Sequence, residues 1–146
     1  MKVRDCMTRQ VLTTTPQESL QTAAKLMLES DIGFIPVEDG ERLVGMLTDR
    51  DIAVRAVARG LGPETRVRDV MTAQVLYCFE DADIDDVADN MADIQVRRLP
   101  VVDGDKRLVG IITTGDLARE TEGEVCAMAM YGVAQPGGAH NQSTGF

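Results

Sequence analysis

The sequence predicts a mixed α+β fold made of two pseudo-symmetric copies of one small unit. Three observations carry this. The phrase "VRDCMTRQVL" at 3–12 returns as "VRDVMTAQVL" at 67–76, with eight identities in ten at an offset of 64. Each copy holds one amphipathic helical stripe followed by two short apolar runs around a turn. Each copy then reaches the same closing phrase, "GMLTDRD" at 45–51 and "GIITTGD" at 110–116.

Taken in order, each copy opens on a short apolar stretch, Val11–Thr13 or Val75–Cys78, that reads as a strand. Leu20, Ala23, Ala24, Met27 and Leu28 then recur at helical spacing, and Ile84, Val87, Ala88, Met91 and Ala92 repeat the stripe. Ser19 and Asp83 stand just ahead, where a side-chain oxygen can cap free helix N–H groups. "IPVEDGERLVG" at 35–45 answers "LPVVDGDKRLVG" at 99–110, and the Asp-Gly turn in each reads as a hairpin. The unbroken apolar runs of the second hairpin strands predict burial on both faces. A second helix is expected from about Asp49 and Thr114. The unit is therefore strand–helix–strand–strand–helix. A first domain spans 1–62, a second 63–122, and residues 123–146 form a partly disordered extension. A unit this small is marginal alone, so the copies are expected to pack face to face and leave two equivalent clefts.

Composition sets the outer limits. Hydrophobic residues are 44% of the chain with no Trp and 3% aromatics, so the core is expected to be aliphatic. The net charge of −9 argues against nucleic-acid and anionic-membrane surfaces, which need clustered Lys and Arg. No apolar run is long enough for a bilayer, and "MKVRDCMTRQ" lacks the apolar stretch of a secretory signal, so a cytoplasmic protein is expected. Cys6, Cys78 and Cys126 are scattered, and the single histidine, His140, lies in a polar tail, so no metal site is expected. No Ser-His or Cys-His set is visible, so no enzyme activity is expected.

Two strand–helix–strand–strand–helix units, each with h-P-V-x-D-G in its hairpin and closing on G-h-h-T-x-x-D, resemble a tandem pair of CBS domains, a Bateman module, over roughly residues 2–122. The stand-alone format is similar to small prokaryotic CBS-pair proteins often linked to stress or hypoxia. The resemblance implies a homodimer binding AMP, ADP or ATP, with S-adenosylmethionine or NAD as further possibilities. It implies a regulatory sensor that signals to a separate protein.

Thr48 and Asp51, and likewise Thr113 and Asp116, stand three apart where a buried strand turns into a helix. That spacing fits a capping box and needs no ligand. It also suits a nucleotide: the helix N-terminus and threonine hydroxyl would meet phosphate, and the aspartate would accept from ribose hydroxyls. Gly45 and Gly110, in strands that favour β-branched residues, imply a close approach by another group. By resemblance, Arg97 and Arg98 face the phosphates of a ligand held by Thr113 and Asp116. The matching first-copy residues, Gly33 and Phe34, are uncharged, although the first copy carries Arg50 within its motif where the second has Gly115. The second site is therefore expected to be occupied, and the first to be weaker or differently selective. The resemblance also implies that each cleft is walled by the segment ahead of the other copy's first strand. Thr8, Val11 and Leu12 would then serve the Asp116 site, and Thr72, Val75 and Leu76 the Asp51 site, with the apolar members around adenine. The competing reading is a ligand-free dimeric interaction module whose motifs serve only as helix caps.

Glu80–Asp93 holds seven acidic residues and no basic one, and reads as a solvated helix face. "CAMAMYGVA" either extends the last helix or packs on a dimer partner, and "QPGGAHNQSTGF" reads as disordered.

Overall fold

The computed structural model describes residues 1–121 and 123–136. The chain divides into two compact units, each holding the hairpin of one copy. One unit gathers Met1–Gln10, Leu76–Asp105 and the described chain from Val109 onward; the other gathers Val11–Val75 and Lys106–Leu108. The unit boundaries thus cut across the sequence repeat. The first ten residues, with their short helix α1 (Val3–Cys6), belong with the hairpin of the second copy.

In the unit of the first copy, Ser19 Oγ accepts the Thr22 N–H at 3.2 Å and opens α2 (Leu20–Ser30). Leu20, Ala23 and Met27 bury the expected stripe, while Leu28 is 80% exposed, because the stripe is one residue narrower than its spacing allows. Strands β1 (Phe34–Asp39) and β2 (Arg42–Thr48) form the antiparallel hairpin, with a register shift between Val37 and Glu38. Gly40 supplies the left-handed turn residue at φ 67°. The chain then enters α3 (Asp49–Asp51), which runs into a π-turn over Ile52–Ala56 and a 3₁₀ turn over Val57–Arg59.

The unit of the second copy repeats this plan. Its opening strand, β3, is Cys78–Phe79. Asp83 Oδ1 accepts the Asp85 N–H at 3.0 Å and caps α4 (Ile84–Ile94), which buries Ile84, Val87, Ala88 and Met91. Asp85, Asp86, Asp89 and Asp93 are exposed, the solvated acidic face that the sequence implies. The sheet order is β3, β4 (Arg98–Val102), β5 (Leu108–Thr113), with β3 parallel to β4. Helix α5 (Thr114–Glu120) follows directly.

The opening strands are much shorter than the apolar pattern predicts. In the first copy Val11–Thr13 is unpaired, and only Thr14 makes a parallel bridge, to Val37. In the second, pairing begins at Cys78 rather than Val75. Thr14 N–H donates to Pro36 O at 3.1 Å, but proline has no N–H to return. Pro36 and Pro100 therefore end the ladder that a longer opening strand would need.

The "CAMAMYGVA" stretch lies in a separate helix, α6 (Gly123–Ala134), that packs on α4 of its own unit. Ala129 and Val133 are buried. A Cβ on Gly132 would stand 2.3 Å from the Ala92 Cβ, so the glycine lets the two helices touch. Residues 137–146, which include His140 and most of the segment read as disordered, lie outside the described residues.

Each unit has its own aliphatic core, and each core draws on a leading segment. Val67 and Val70 pack with Leu20, Ile35, Val37 and Leu47. Val3, Cys6 and Met7 pack with Met91, Leu99, Ile112 and Leu117. Backbone hydrogen bonds fix both segments: Met46 and Thr72 exchange a pair at 2.9 Å, and Thr8 and Ile111 do the same at 2.9 Å. The buried glycines answer to this seating. A Cβ on Gly45 would lie 2.6 Å from Met71 Sδ and 3.1 Å from Thr72 O; on Gly110 it would lie 2.7 Å from Met7 Sδ and 2.9 Å from Thr8 O. The group that the glycines admit is the chain's own Met-Thr pair.

Two expectations follow. Gly110→Ala pushes against a backbone carbonyl that cannot swing away, so it should destabilise by about 1–3 kcal/mol and lower Tm by roughly 3–10 °C. Gly104→Ala, with nothing within 4 Å of the new Cβ, is the control. An unchanged Tm for Gly110→Ala in a thermal melt would show that the Met7–Thr8 segment does not sit there. Burial pushes the Cys78 thiol up to about 12. The unfolded chain deprotonates this thiol near its ordinary value, about 8.5. The thiol's contribution is therefore complete below that pH and is lost as pH rises toward 12, by up to about 1.4 kcal/mol per pH unit. Urea unfolding between pH 8 and 11 should show this slope reduced in Cys78→Ala.

Candidate functional site

The two closing phrases fold into the same local device. In each, the strand's last residue is an extended threonine that serves as N-cap of the next helix. Thr48 Oγ1 accepts the Asp51 N–H at 3.0 Å, and the Thr48 N–H donates to Asp51 Oδ2 at 3.0 Å. Thr113 Oγ1 accepts the Asp116 N–H at 3.1 Å, and the Thr113 N–H donates to Asp116 Oδ2 at 2.9 Å. Both capping boxes are complete, and a Thr113 hydroxyl contact to Asp116 Oδ2 at 3.1 Å adds to the second.

Around Asp116 the leading segment supplies a further partner. Thr8 Oγ1 donates to Asp116 Oδ1 at 3.5 Å, the longest bond of the set, and Arg119 Nη2 pairs with the same oxygen. Asp116 is 2% exposed, while the Arg119 side chain is 63% exposed. The sequence expectation that joined Thr8 to Thr113 and Asp116 thus corresponds to one cluster in one unit. Arg97 is exposed and its carbonyl accepts the Thr114 N–H at 2.9 Å; Arg98 opens β4 and is half-buried. Val11 and Leu12 belong to the other unit, Val11 half-buried and Leu12 45% exposed.

The first copy brings Thr48, Asp51 and Thr72 together through a residue that the motif reading missed. Arg55 pairs through Nε with Asp51 Oδ1 at 3.8 Å, and its Nη1 donates to Val70 O at 3.2 Å, Met71 O at 3.3 Å and Thr72 Oγ1 at 3.2 Å. One side chain thereby ties the motif aspartate to the leading segment. Arg50 sits inside the box and its N–H donates to Asp49 Oδ1 at 2.8 Å. Val75 is half-buried in this unit, and Leu76 falls in the other.

Arg55 and Arg119 are the same residue one position apart. "DIAVR" has one residue more than "DLAR", and a π-turn absorbs such an insertion within a helix. The extra Val54 is 48% exposed. The sequence signal was the spacing of an arginine one turn beyond each aspartate, hidden by the insertion.

Among the described residues no group of three His, Cys, Asp or Glu side chains is placed to hold a metal ion. Cys6 and Cys78 are buried, and Cys126 is half-buried, with its thiol 3.6 Å from Thr114 O. Burial, with neighbouring carboxylates, also raises the Cys6 thiol. No helix of the described residues is long and apolar enough to cross a membrane.

The same two-copy arrangement is found in known proteins. The CBS-domain family model matches residues 3–57 and 67–123. The CBS domain-containing protein YhcV of Bacillus subtilis is 45% identical over 116 residues, 80% of this chain and 82% of that protein. Hypoxic response protein 1 of Mycobacterium tuberculosis is 37% identical over 91% of this chain and 94% of its own length. Among solved structures, the CBS domain pair of protein MJ0100, in complex with 5-methylthioadenosine and S-adenosyl-L-methionine, superposes with a TM-score of 0.72 at 32% identity, covering 85% of this chain and 98% of that one. CBSX2 in complex with AMP gives 0.71 at 30% identity, covering 81% and 93%. With a leading segment, a hairpin and a capped G-h-h-T-x-x-D turn present twice, and a family model matching both copies, this chain belongs to the CBS-domain family as a tandem pair.

Proposed function

We propose that this protein is a regulatory module that binds an adenosine-containing ligand, works as a homodimer in the cytoplasm and passes its signal to a separate protein. The observation that carries the reading is the gathering of Thr8, Thr113 and Asp116 in one unit, on the motif by which the family was recognised. Structural relatives that hold AMP, 5-methylthioadenosine or S-adenosyl-L-methionine support the ligand class. AMP, ADP and ATP are the first candidates, with S-adenosylmethionine and NAD behind them.

The roles follow from the contacts. A ribose hydroxyl would take the place of Thr8 Oγ1 on Asp116 Oδ1, the weakest bond there at 3.5 Å. Thr113 would join the phosphate contacts, with Arg97 and Arg98 as cations. In the first copy Thr48, Asp51 and Arg50 would play these parts, beside Thr72 and Val75. A sensor transmits only if its ligand distinguishes two states, and a separate partner would read the difference. The relative named for the hypoxic response supports a place in a stress response.

The completeness of both capping boxes favours a second reading, a ligand-free dimeric interaction module. One experiment separates them. At a ligand concentration near 100 times Kd the protein should gain about 2.7 kcal/mol, a Tm rise of roughly 5–10 °C, with at least one of AMP, ADP, ATP, NAD or S-adenosylmethionine. Asp116→Ala should reduce that rise. A flat melting temperature across the panel would favour the interaction module.

A further inference from the structure

Helix α6 lies beyond the sequence repeat, and it leaves one apolar face uncovered. Ala129 and Val133 turn inward, whereas Met128 is 56% and Tyr131 72% exposed, with Ala127 and Ala134 exposed beside them. These four recur at helical spacing, so they form one stripe. The stripe borders α4. Ala92 meets Gly132, and Gln95 Nε2 donates to Gly132 O at 3.2 Å and to Gln135 O at 2.7 Å, so the helices are joined at their C-terminal ends. Met128 stands four residues before Gly132, on the same side of α6. Asp89 and Asp85 stand three and seven residues before Ala92, on the same side of α4, and both are exposed. The outer seam between the helices is therefore apolar on one flank and acidic on the other. Neither helix contains a Lys or Arg. The first copy differs here: Gln21 and Lys25 stand where α4 has Asp85 and Asp89.

A helix laid along such a seam offers apolar residues at i, i+3, i+4 and i+7 to the stripe. Lys or Arg on its flank would complement the aspartate row and steer the encounter. Methionine repacks around varied shapes, and tyrosine supplies broad contact area with a polar tip. A second copy of the same seam is a poorer occupant, because it would bring Glu124 and the α4 aspartates against their own kind. We infer that the outer seam of α4 and α6 is the docking surface for a basic amphipathic helix of a separate protein. This rests on the regulatory-module reading above and deepens it by naming the kind of partner that reads the signal. The Cys126 thiol lies 3.6 Å from Thr114 O, so α6 rests on the residue that follows Thr113.

The probe is a fluorescein-labelled peptide of leucine and lysine, about four helical turns long, with its leucines at helical spacing. Its twin carries glutamate in place of lysine, and fluorescence anisotropy follows the binding of each to the full chain. The lysine peptide should bind saturably, and the glutamate peptide at least about tenfold more weakly. Met128→Ser with Tyr131→Ser should weaken the lysine peptide about tenfold or more. Asp85→Asn with Asp89→Asn should weaken it about fivefold or more and flatten its salt dependence. Glu29→Gln with Asp39→Asn removes the same charge from exposed positions of the other unit and should stay within about twofold. No binding by the wild-type protein, equal binding of the two peptides, an unchanged affinity in either seam variant, or an equal loss in the control would overturn the inference. So would a dimer that becomes monomeric in the serine variant by analytical ultracentrifugation, which would give the face to a second copy. Should the serine pair not fold, the aspartate pair alone decides. All of these readouts are taken without nucleotide, so their failure leaves the adenosine-ligand reading to its own melting test.

Discussion

A buried strand that gives up a side chain at one position lets another piece of chain lie directly on its backbone. Here that happens twice. Gly45 and Gly110 are buried mid-strand, and the methionine and threonine of a leading segment rest on them with a reciprocal pair of backbone hydrogen bonds. Everything near the motifs is referred to this seating. It brings Thr72 to Arg55 and Thr8 to Asp116, and it delivers Val67 and Val70, or Val3 and Met7, to the two cores. Neither hairpin would be closed by its own copy's leading segment, because that segment belongs with the other.

The closing phrases serve two purposes with one set of atoms. A threonine and an aspartate three apart satisfy the orphan N–H groups of a helix start and so stabilise the turn. The same arrangement fixes a carboxylate and a hydroxyl at a strand-to-helix corner, with an arginine drawn in by the carboxylate. What distinguishes the copies is the length of chain between aspartate and arginine. One additional residue, taken up by a π-turn, redirects the guanidinium from solvent to a row of carbonyls.

Much of this was legible in the residues. The repeat, the capping residues Ser19 and Asp83, the hairpins and the two threonine–aspartate boxes all follow from short-range patterns, and short-range hydrogen bonds hold them. Gly45 and Gly110 announced a close approach, but spacing alone does not say whether a ligand or the chain itself arrives; the Met-Thr pair does. The opening strands were overestimated because apolar runs signal burial and extension, whereas pairing needs an N–H that Pro36 and Pro100 lack. Leu28 was misplaced because periodicity assigns a face and not its width. Arg55 and Arg119 escaped because an insertion sets Arg55 four residues beyond its aspartate where Arg119 stands three beyond, and because the bonds of Arg55 to Val70, Met71 and Thr72 are tertiary. The relation between Thr8 and Asp116, separated by 108 residues, came from the family resemblance and not from any local pattern.

The exchanged segments set an order on the folding of a growing chain. The hairpin of the first copy acquires its closing strip once Thr72, 26 residues beyond Met46, has been made. The opening strip has no such luck: Thr8 must wait for Ile111, 103 residues further along, so the apolar side chains of Val3 and Met7 stay unsheltered until that strand has been made. Loops of that span close slowly, which makes the amino-terminal strip the last piece to dock and the one most open to chaperones or to a neighbouring chain during synthesis.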